Sequence, residues 1–214
     1  MNNEPQFTEE SIDEESQSPQ KKEGGFAASL FDIVEMFAWS VFAVLIIFSF
    51  AFRLCRVDGR SMENTLYNGQ NLLLYSFAYT PEQDDIVVFH LTNPEVDMEK
   101  TLVKRVIATS GQTVEINFNT AQILVDGKEY KDSHAILKNL SDRVINVYTL
   151  TAEHHYDPMN GIFSATVPEG HVFVMGDNRN NSKDSRDTDV GFVDERCILG
   201  KAVLRISPFT VFSN

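Results

Sequence analysis

The sequence predicts a mainly β protein, an antiparallel β-sheet domain preceded by one transmembrane helix. Near the N-terminus, residues 36–52 form an uncharged, strongly apolar run, which is just long enough to cross a bilayer. From Asn71 onward, short segments rich in Val, Ile, Phe and Tyr alternate with turn signals, and helical periodicity is nearly absent. A chain of 214 residues holds one sizeable domain plus appendages, so we expect a single β domain after the helix.

The N-terminal residues 1–25 are predicted to form a disordered acidic tail. They carry several carboxylates among Gln, Ser, Asn and Pro, and they offer almost nothing apolar to bury. The whole chain has a formal net charge of −13, whereas proteins that bind nucleic acid gather Lys and Arg on one face. We therefore expect no nucleic-acid partner.

Residues 26–54 are predicted to form a transmembrane anchor helix, with Trp39 and Arg53 as interfacial anchors in contact with membrane lipid. The alternative is a cleaved secretory signal peptide, which needs a short basic start and a small-residue cleavage site. The long acidic tail in front disfavours that alternative, and we expect an uncleaved anchor.

The charges that flank the apolar run leave its orientation open. Lys21 and Lys22 precede the run, and Arg53, Arg56 and Arg60 follow it. A count of flanking positive charges would place the C-terminal part inside the cell, but this rule weakens when a whole domain is translocated.

The remaining residues, 55–214, are predicted to form the antiparallel β domain. Residues 115–125 and the segment after the turn signal Asp126-Gly127 are expected to form hairpins. The predicted strands are residues 71–76, 85–90, 101–108, 113–117, 121–125, 144–150, 161–167, 171–175 and 198–206.

The first polar constellation, Gly59-Arg60-Ser61-Met62, lies just beyond the apolar run. A serine in such a segment is a weak signal, and its ordinary interpretation is a turn that leads into a strand. A short motif of this kind assigns no chemistry by itself.

The second constellation is centred on Lys104 in the predicted strand 101–108. Because alternate side chains of a strand point to opposite faces, Lys104 shares a face with Leu102 and Val106. Desolvation on an apolar face lowers the pKa of a lysine, and a neutral amine can act as a general base. The commoner alternative is an edge-strand lysine whose ammonium reaches water. Arg105 points to the other face and is expected to be solvated or salt-bridged.

The third constellation is a polar loop, residues 176–186, that follows the apolar strand 171–175. One interpretation is an ordinary Asx-rich turn. The loop holds two Asp, two Arg and two Ser within a few positions, and this density favours a buried supporting network as the rival interpretation.

Taken together, the three motifs resemble type I signal peptidase of bacteria. They read Ser-Met-x-x-Thr-Leu from Ser61, Lys-Arg-Val-Ile from Lys104 and Gly-Asp-Asn-Arg-x-x-Ser-x-Asp-Ser-Arg from Gly176, and they follow one transmembrane helix in this order. Each motif is weak alone, whereas the ordered set is specific. The resemblance extends from the apolar run to residues 200–203 and leaves only the acidic tail outside it.

The resemblance implies a signal-peptidase-like serine protease with a Ser–Lys catalytic pair. Ser61 matches the nucleophile of that family and Lys104 its general base. Ser182 aligns with a serine that orients the lysine amine. Asp184 and Arg186 match a supporting ion pair.

Three positions near these motifs bear on the expected chemistry. Gly59 lies where the family has Ser or Gly, so no side-chain hydroxyl is present there for the oxyanion, and the backbone N–H of Ser61 is expected to supply much of the stabilisation. Asn64 stands where the family usually has Pro, and residues 108–112 replace the usual Gly-Leu-Pro-Gly-Asp. Neither departure alters a reacting atom.

The resemblance also implies the substrate and the location. The substrates would be signal peptides of preproteins, with small residues at the first and third positions before the cut. Such a segment is expected to bind as an added strand, with Met62, Leu66 and Val103 as walls of shallow pockets. The catalytic domain is expected to be extracytoplasmic on the cell membrane, and the acidic tail cytoplasmic.

No cofactor and no metal site are expected from the sequence. His154 and His155 would face opposite ways on a strand, and the other histidines lack ligand spacing. Cys55 and Cys197 stand in no metal or redox spacing, and the sequence leaves open whether they pair.

Two other functions remain open at this point. A self-cleaving Ser–Lys regulator would share the chemistry, but it is soluble and carries a DNA-binding module, which the apolar run and the acidic tail disfavour. A catalytically silent, membrane-anchored surface or scaffold protein would keep the fold without the reaction.

Overall fold

The computed structural model describes residues 26–93, 98–131, 133–135, 154–157 and 159–212. The predicted acidic tail and the predicted strand 144–150 lie outside these residues. Contacts group the chain into two compact units that divide between Val44 and Leu45.

One α-helix, α1 (Phe26–Ala51), contains the apolar run. Its segment Leu30–Ala51 has a mean hydropathy of 2.3, and its 22 residues are long and apolar enough to cross a membrane. The helix ends at Ala51 rather than at the predicted residue 54, because a strand begins there. This strand, β1 (Phe52–Arg56), pairs along its whole length with β2 (Asn71–Tyr75), so its backbone hydrogen bonds go to a sheet and not to another helical turn.

The rest of the described chain is dominated by strands, and every strand pair in it is antiparallel. The prediction of a mainly β, antiparallel fold behind one apolar helix is therefore confirmed. The further strands are β3 (Ile86–Asn93), β4 (Met98–Ala108), β5 (Thr113–Asn117), β6 (Gln122–Val125), β7 (Lys128–Glu129), β8 (His154–Asp157), β9 (Ile162–Thr166), β10 (His171–Met175), β11 (Val193–Asp194), β12 (Ile198–Arg205) and β13 (Thr210–Val211).

The described strands form two sheets. The larger sheet has eight strands in the order β1-β2-β12-β3-β4-β10-β11, with β13 paired to β12. The smaller sheet has five strands in the order β7-β6-β5-β9-β8. Strands β5 and β10 have the predicted bounds, and β3 and β4 are longer than predicted because they form one continuous ladder. The predicted turn joins β6 to β7, with Asp126 and Gly127 at φ values of 50° and 73°, as a two-residue hairpin turn requires.

The strand order brings three distant parts of the chain together. Strand β12, near the C-terminus, lies inside the larger sheet between β2 and β3, and β4 lies between β3 and β10. The pairing of Met175 with Arg105 sets the loop after β10 beside the middle of β4. The connection between β1 and β2, residues 57–70, carries Ser61.

A buried apolar cluster lies beneath this connection. Met62 and Leu66 belong to it, and Cys55 packs against it as a free thiol. Cys197 is free and exposed, so the two cysteines do not pair. The other buried members of the cluster are Val57, Leu72, Leu74, Ile86, Val88 and Ala202.

Candidate active site

Ser61 begins a compact turn in the β1–β2 connection. The N–H groups of Thr65 and Leu66 both donate to the carbonyl of Met62 at 2.8 Å. Met62 and Leu66 are 2% and 0% exposed, so their side chains fix the turn to the apolar cluster below it. Ser61 itself remains partly exposed. We call residues 61–66 the serine turn.

Lys104 lies on β4 and is 2% exposed. Its Nζ donates to Ser61 Oγ at 2.8 Å and to the carbonyl of Val103 at 3.0 Å. Because Lys104 is buried and its Nζ contacts Ser61 and Val103, the alternative of an edge-strand lysine whose amine reaches water is wrong. A buried amine therefore contacts the hydroxyl of Ser61 across 43 residues of sequence.

The polar loop 176–186 folds into a buried network, as the rival interpretation held. Both carboxylate oxygens of Asp184 accept from Arg186, from Nε and from Nη2, each at 2.8 Å. Asp184 also accepts from the N–H of Gly176 at 2.9 Å, and Arg186 donates to the carbonyl of Arg179 at 2.8 Å. A bidentate pair with no exposed side-chain surface holds the loop in one geometry.

The first residues of this loop hold the serine turn directly. The N–H of Asn178 donates to the carbonyl of Ser61 at 2.9 Å, and its side-chain amide donates to the carbonyl of Arg60 at 3.1 Å. The hydroxyl of Thr65 donates to Asp177 at 2.5 Å. Both ends of the serine turn are thus attached to the loop after β10.

Asp177 is also the ion-pair partner of Arg105, which is therefore salt-bridged and not solvated. Arg105 Nε and Nη2 donate to its two oxygens at 2.9 and 2.7 Å, and both side chains are at most 5% exposed. Burial alone would lower the pKa of Arg105, but the hydrogen bonds and the charge of Asp177 raise this pKa above its usual value. The pair stabilises the charged guanidinium inside the protein.

Ser182 lies in the same loop and is 5% exposed. Its hydroxyl has no hydrogen-bond partner within the described residues. A Cβ on Gly176 would lie 2.2 Å from Ser182 Oγ and 2.5 Å from the carbonyl oxygen of Ser61. Only glycine fits between them, so Gly176 lets the loop approach the serine turn closely.

Gly59 precedes the serine turn and has a φ of 97°, in the region that favours glycine. Its N–H donates to Asn68 Oδ1 at 2.9 Å. The N–H of Ser61, by contrast, donates to no acceptor in the described part of the chain. This N–H is the backbone donor that remains available beside the Ser61 hydroxyl.

A family model described as "Signal peptidase, peptidase S26" matches residues 30–207. The chain belongs to this family of peptidases. The match includes most of α1, strands β1 to β12 and every residue of the site described above.

Relatives with curated names agree with this assignment. A probable signal peptidase I-1 of Synechocystis sp. is 35% identical over 161 residues, which are 71% of this chain and 69% of the relative. Signal peptidase I of Bacillus licheniformis is 32% identical over 184 residues, or 85% of this chain and 90% of the relative. A solved signal peptidase I of Enterococcus faecalis is 27% identical and covers 57% of this chain and 97% of its own, with a TM-score of 0.38 that supports no statement on the fold.

In this signal peptidase, the sequence predicted the two residues whose side chains meet, Ser61 and Lys104. It did not predict most of the contacts that hold them in place. Asp177 and Asn178 lie in a motif that was recognised, yet their contacts with the serine turn have no local signal. Arg105, the partner of Asp177, could be recognised from the sequence only as a basic residue next to Lys104. Val103 packs against the buried cluster that contains Met62 and Leu66, and of these three residues it alone is more than marginally exposed.

The buried Arg105–Asp177 pair yields a stability prediction. Asp177→Asn keeps the shape of the side chain but leaves Arg105 charged and without its carboxylate, so we expect the free energy of unfolding to fall by about 3–5 kcal/mol. Asp194→Asn is the matched control, because Asp194 also pairs with an arginine but the Arg196 side chain is 89% exposed. Urea unfolding of the detergent-solubilised chain, followed by circular dichroism, should give a much smaller loss for the control. Equal losses would contradict this account of the buried pair.

Proposed function

We propose that this chain is a membrane-bound serine endopeptidase that removes signal peptides from preproteins, with Ser61 as nucleophile and Lys104 as general base. The observation that carries the proposal is the 2.8 Å hydrogen bond between Lys104 Nζ and Ser61 Oγ, made by a lysine that is 2% exposed. The relatives, which are named signal peptidases I, support the substrate class.

The chemistry begins with the buried amine. Burial favours the neutral form of a lysine over the charged form, and a neutral Lys104 accepts the hydroxyl proton of Ser61 as Oγ attacks the scissile carbonyl carbon. Lys104 then gives that proton to the leaving amine, and the signal peptide remains as an ester on Ser61. A water molecule that gives a proton to Lys104 attacks the ester, and Ser61 recovers its proton from Lys104.

The surroundings support these steps. The available N–H of Ser61 is suited to stabilise the oxyanion, and Gly59 provides the backbone conformation in front of it. The buried hydroxyl of Ser182 is proposed to orient the Lys104 amine. The Asp184–Arg186 pair is proposed to fix the loop that carries Ser182.

A signal peptide has an open place beside β4. One side of β4 pairs with β3 along residues 98–105, whereas on the other side, within the described residues, β10 pairs only from Arg105 onward. The segment of β4 before Arg105, on the side away from β3, is suited to hydrogen-bond an extended peptide. We propose that Val103 forms the exposed wall of the pocket for the residue before the cut, with Met62 and Leu66 buried behind it.

One face of the larger sheet carries an apolar row that is suited to contact lipid. Leu54, Leu73, Leu204 and Val211 are paired in register across β1, β2, β12 and β13. Paired residues share a face of the sheet, and Leu54 and Val211 are 71% and 62% exposed. Since β1 follows directly on Ala51, the end of α1, we propose that this apolar row rests on the cell membrane, with the catalytic unit extracytoplasmic.

Lys104→Arg separates a base from a positive charge. Arginine keeps the charge but holds its proton with a pKa above about 12, so we expect a folded protein without turnover, as for Ser61→Ala. Lys100→Arg, an exposed position on the same strand, is the matched control and should keep full activity. The wild-type kcat/KM should rise with pH as the Lys104 amine loses its proton. The assay is preprotein cleavage across a pH series. A folded Lys104→Arg enzyme that keeps about a tenth or more of the wild-type turnover would refute the assignment of Lys104 as the base.

The pocket proposal concerns specificity. Replacing Ala by Leu before the cut should slow cleavage roughly fivefold to 150-fold, because overpacking a tight pocket costs about 1–3 kcal/mol. Val103→Ala should narrow this difference, whereas Leu102→Ala, whose side chain packs with a different buried cluster, should leave it unchanged. The two rates are compared by competition of both preproteins for one enzyme. An unchanged ratio in Val103→Ala would remove Val103 from the pocket.

The orientation can be read from the native exposed cysteine. In a Cys55→Ser background, a membrane-impermeant maleimide should label Cys197 in intact cells. A cysteine introduced by Glu10→Cys in the acidic tail should be labelled only after the cells are permeabilised. The reverse pattern would place the catalytic unit in the cytoplasm.

Lipid contact of the apolar row is measurable by fluorescence, because Trp39 is the chain's only tryptophan. In a Trp39→Phe background, Val211→Trp should give emission that lipids brominated on the acyl chains quench. Met159→Trp is the control, since Met159 is 92% exposed and lies between strands of the smaller sheet. If the lipids quench both tryptophans to the same extent, or neither of them, the proposed contact of the apolar row with lipid is contradicted.

A further inference from the structure

Arg205, near the end of β12, reaches the back of the serine turn. It is paired in register with Leu72 on β2 and Thr210 on β13. Its Nη1 donates to the carbonyl of Thr65 at 2.8 Å, its Nε to the carbonyl of Pro208 at 2.9 Å and its Nη2 to Thr210 Oγ1 at 2.6 Å. One guanidinium thus joins the C-terminal hairpin to the serine turn, 140 residues earlier in the sequence.

Thr65 is held by two hydrogen bonds, one through its side chain and one through its backbone carbonyl. Its hydroxyl donates to Asp177 at 2.5 Å, and Asp177 is fixed by Arg105, while its carbonyl accepts from Arg205. Its own N–H closes the serine turn on the carbonyl of Met62, the residue after Ser61. A displacement of Thr65 therefore passes to Ser61 through one hydrogen-bonded turn.

A cavity of about 370 Å³ borders the serine turn, and Asn64, Thr65, Arg105 and Arg205 are among its lining residues. Arg205 also lines this cavity, and its hydrogen bond to the carbonyl of Thr65 ties the serine turn to β12.

We propose that Arg205 is a positioning residue that holds the serine turn so that Ser61 Oγ meets Lys104 Nζ. This inference rests on the proposed function, in which Ser61 is the nucleophile. Arg205 touches neither reacting atom and acts through Thr65. Lysine is a poor replacement, because one ammonium cannot present the three separated donors of a guanidinium.

The decisive quantity is the limiting rate of a single turnover, with the detergent-solubilised full chain in increasing excess over a preprotein. At saturating enzyme this rate belongs to the correctly folded molecules alone, whereas a loss of folded protein only raises the enzyme concentration needed to approach it. We expect Arg205→Met to lower the limiting rate about tenfold, since small misplacements of reacting groups have large effects. Arg205→Lys should fall between Arg205→Met and the wild type.

Arg196→Met is the matched control, because the Arg196 side chain is 89% exposed and pairs with Asp194 away from the serine turn. It should keep the wild-type limiting rate. A wild-type limiting rate in Arg205→Met, or a higher half-saturating concentration with no change in limiting rate, would overturn the proposal. If Arg205→Met yields no folded protein, Arg205→Lys is judged by the same two criteria.

Ser61→Ala separates this inference from the function on which it rests. If Ser61→Ala cleaves at the wild-type rate, the proposed function is wrong and the role of Arg205 fails with it. If Ser61→Ala is inactive while Arg205→Met and Arg205→Lys keep the wild-type limiting rate, only the role of Arg205 fails.

Discussion

A buried amine needs hydrogen-bond acceptors, and this requirement on Lys104 organises the site. With 2% of its surface exposed, the lysine relies on the protein for partners, and two of these are Ser61 Oγ and the carbonyl of Val103. The hydroxyl of Ser61 must therefore lie beside the amine of Lys104 on β4. The β1–β2 connection, the loop after β10 and the end of β12 all contribute to that placement.

Polar contacts fix the position of the serine turn, because apolar packing alone would allow several positions. Met62 and Leu66 attach the serine turn to an apolar cluster, which sets its depth. Asn178 and the Thr65 hydroxyl attach it to the loop after β10, which sets its direction. A hydrogen-bonded buried network allows few alternative arrangements, whereas apolar contacts tolerate many. The polar loop therefore specifies geometry at the expense of desolvating several charges.

The sequence predicted those features that depend on neighbours along the chain. Short apolar segments between turn signals predicted the bounds of β5 and β10, Asp126-Gly127 predicted a hairpin turn, and strand alternation placed Lys104 with Val106 on an apolar face. The predicted end of the helix was wrong. The residues after Ala51 are as suitable for a strand as for a helix, and only the pairing with β2 decides between the two structures.

Contacts between distant residues could not be predicted in the same way. Arg105 and Asp177 are 72 residues apart, and Thr65 and Arg205 are 140 apart, so no local pattern indicates either pair. The first pair depends on the pairing of β4 with β10, and the second on a strand order in which β12 inserts between β2 and β3. The resemblance singled out Ser61 and Lys104, whereas the contacts that support them emerge only from the three-dimensional arrangement.

The most direct test is to change the basicity of the amine at position 104 without changing its place. Lys104→Cys, in a chain with Cys55→Ser and Cys197→Ser, is alkylated in the unfolded state with 2-bromoethylamine and refolded. This gives a side chain of nearly the same length whose sulfur atom makes the amine less basic. If Lys104 is the base, preprotein cleavage returns on alkylation and the acid limb of the kcat/KM profile moves to lower pH. Restored cleavage with an unmoved limb, or no restoration in a correctly folded protein, would contradict the assignment.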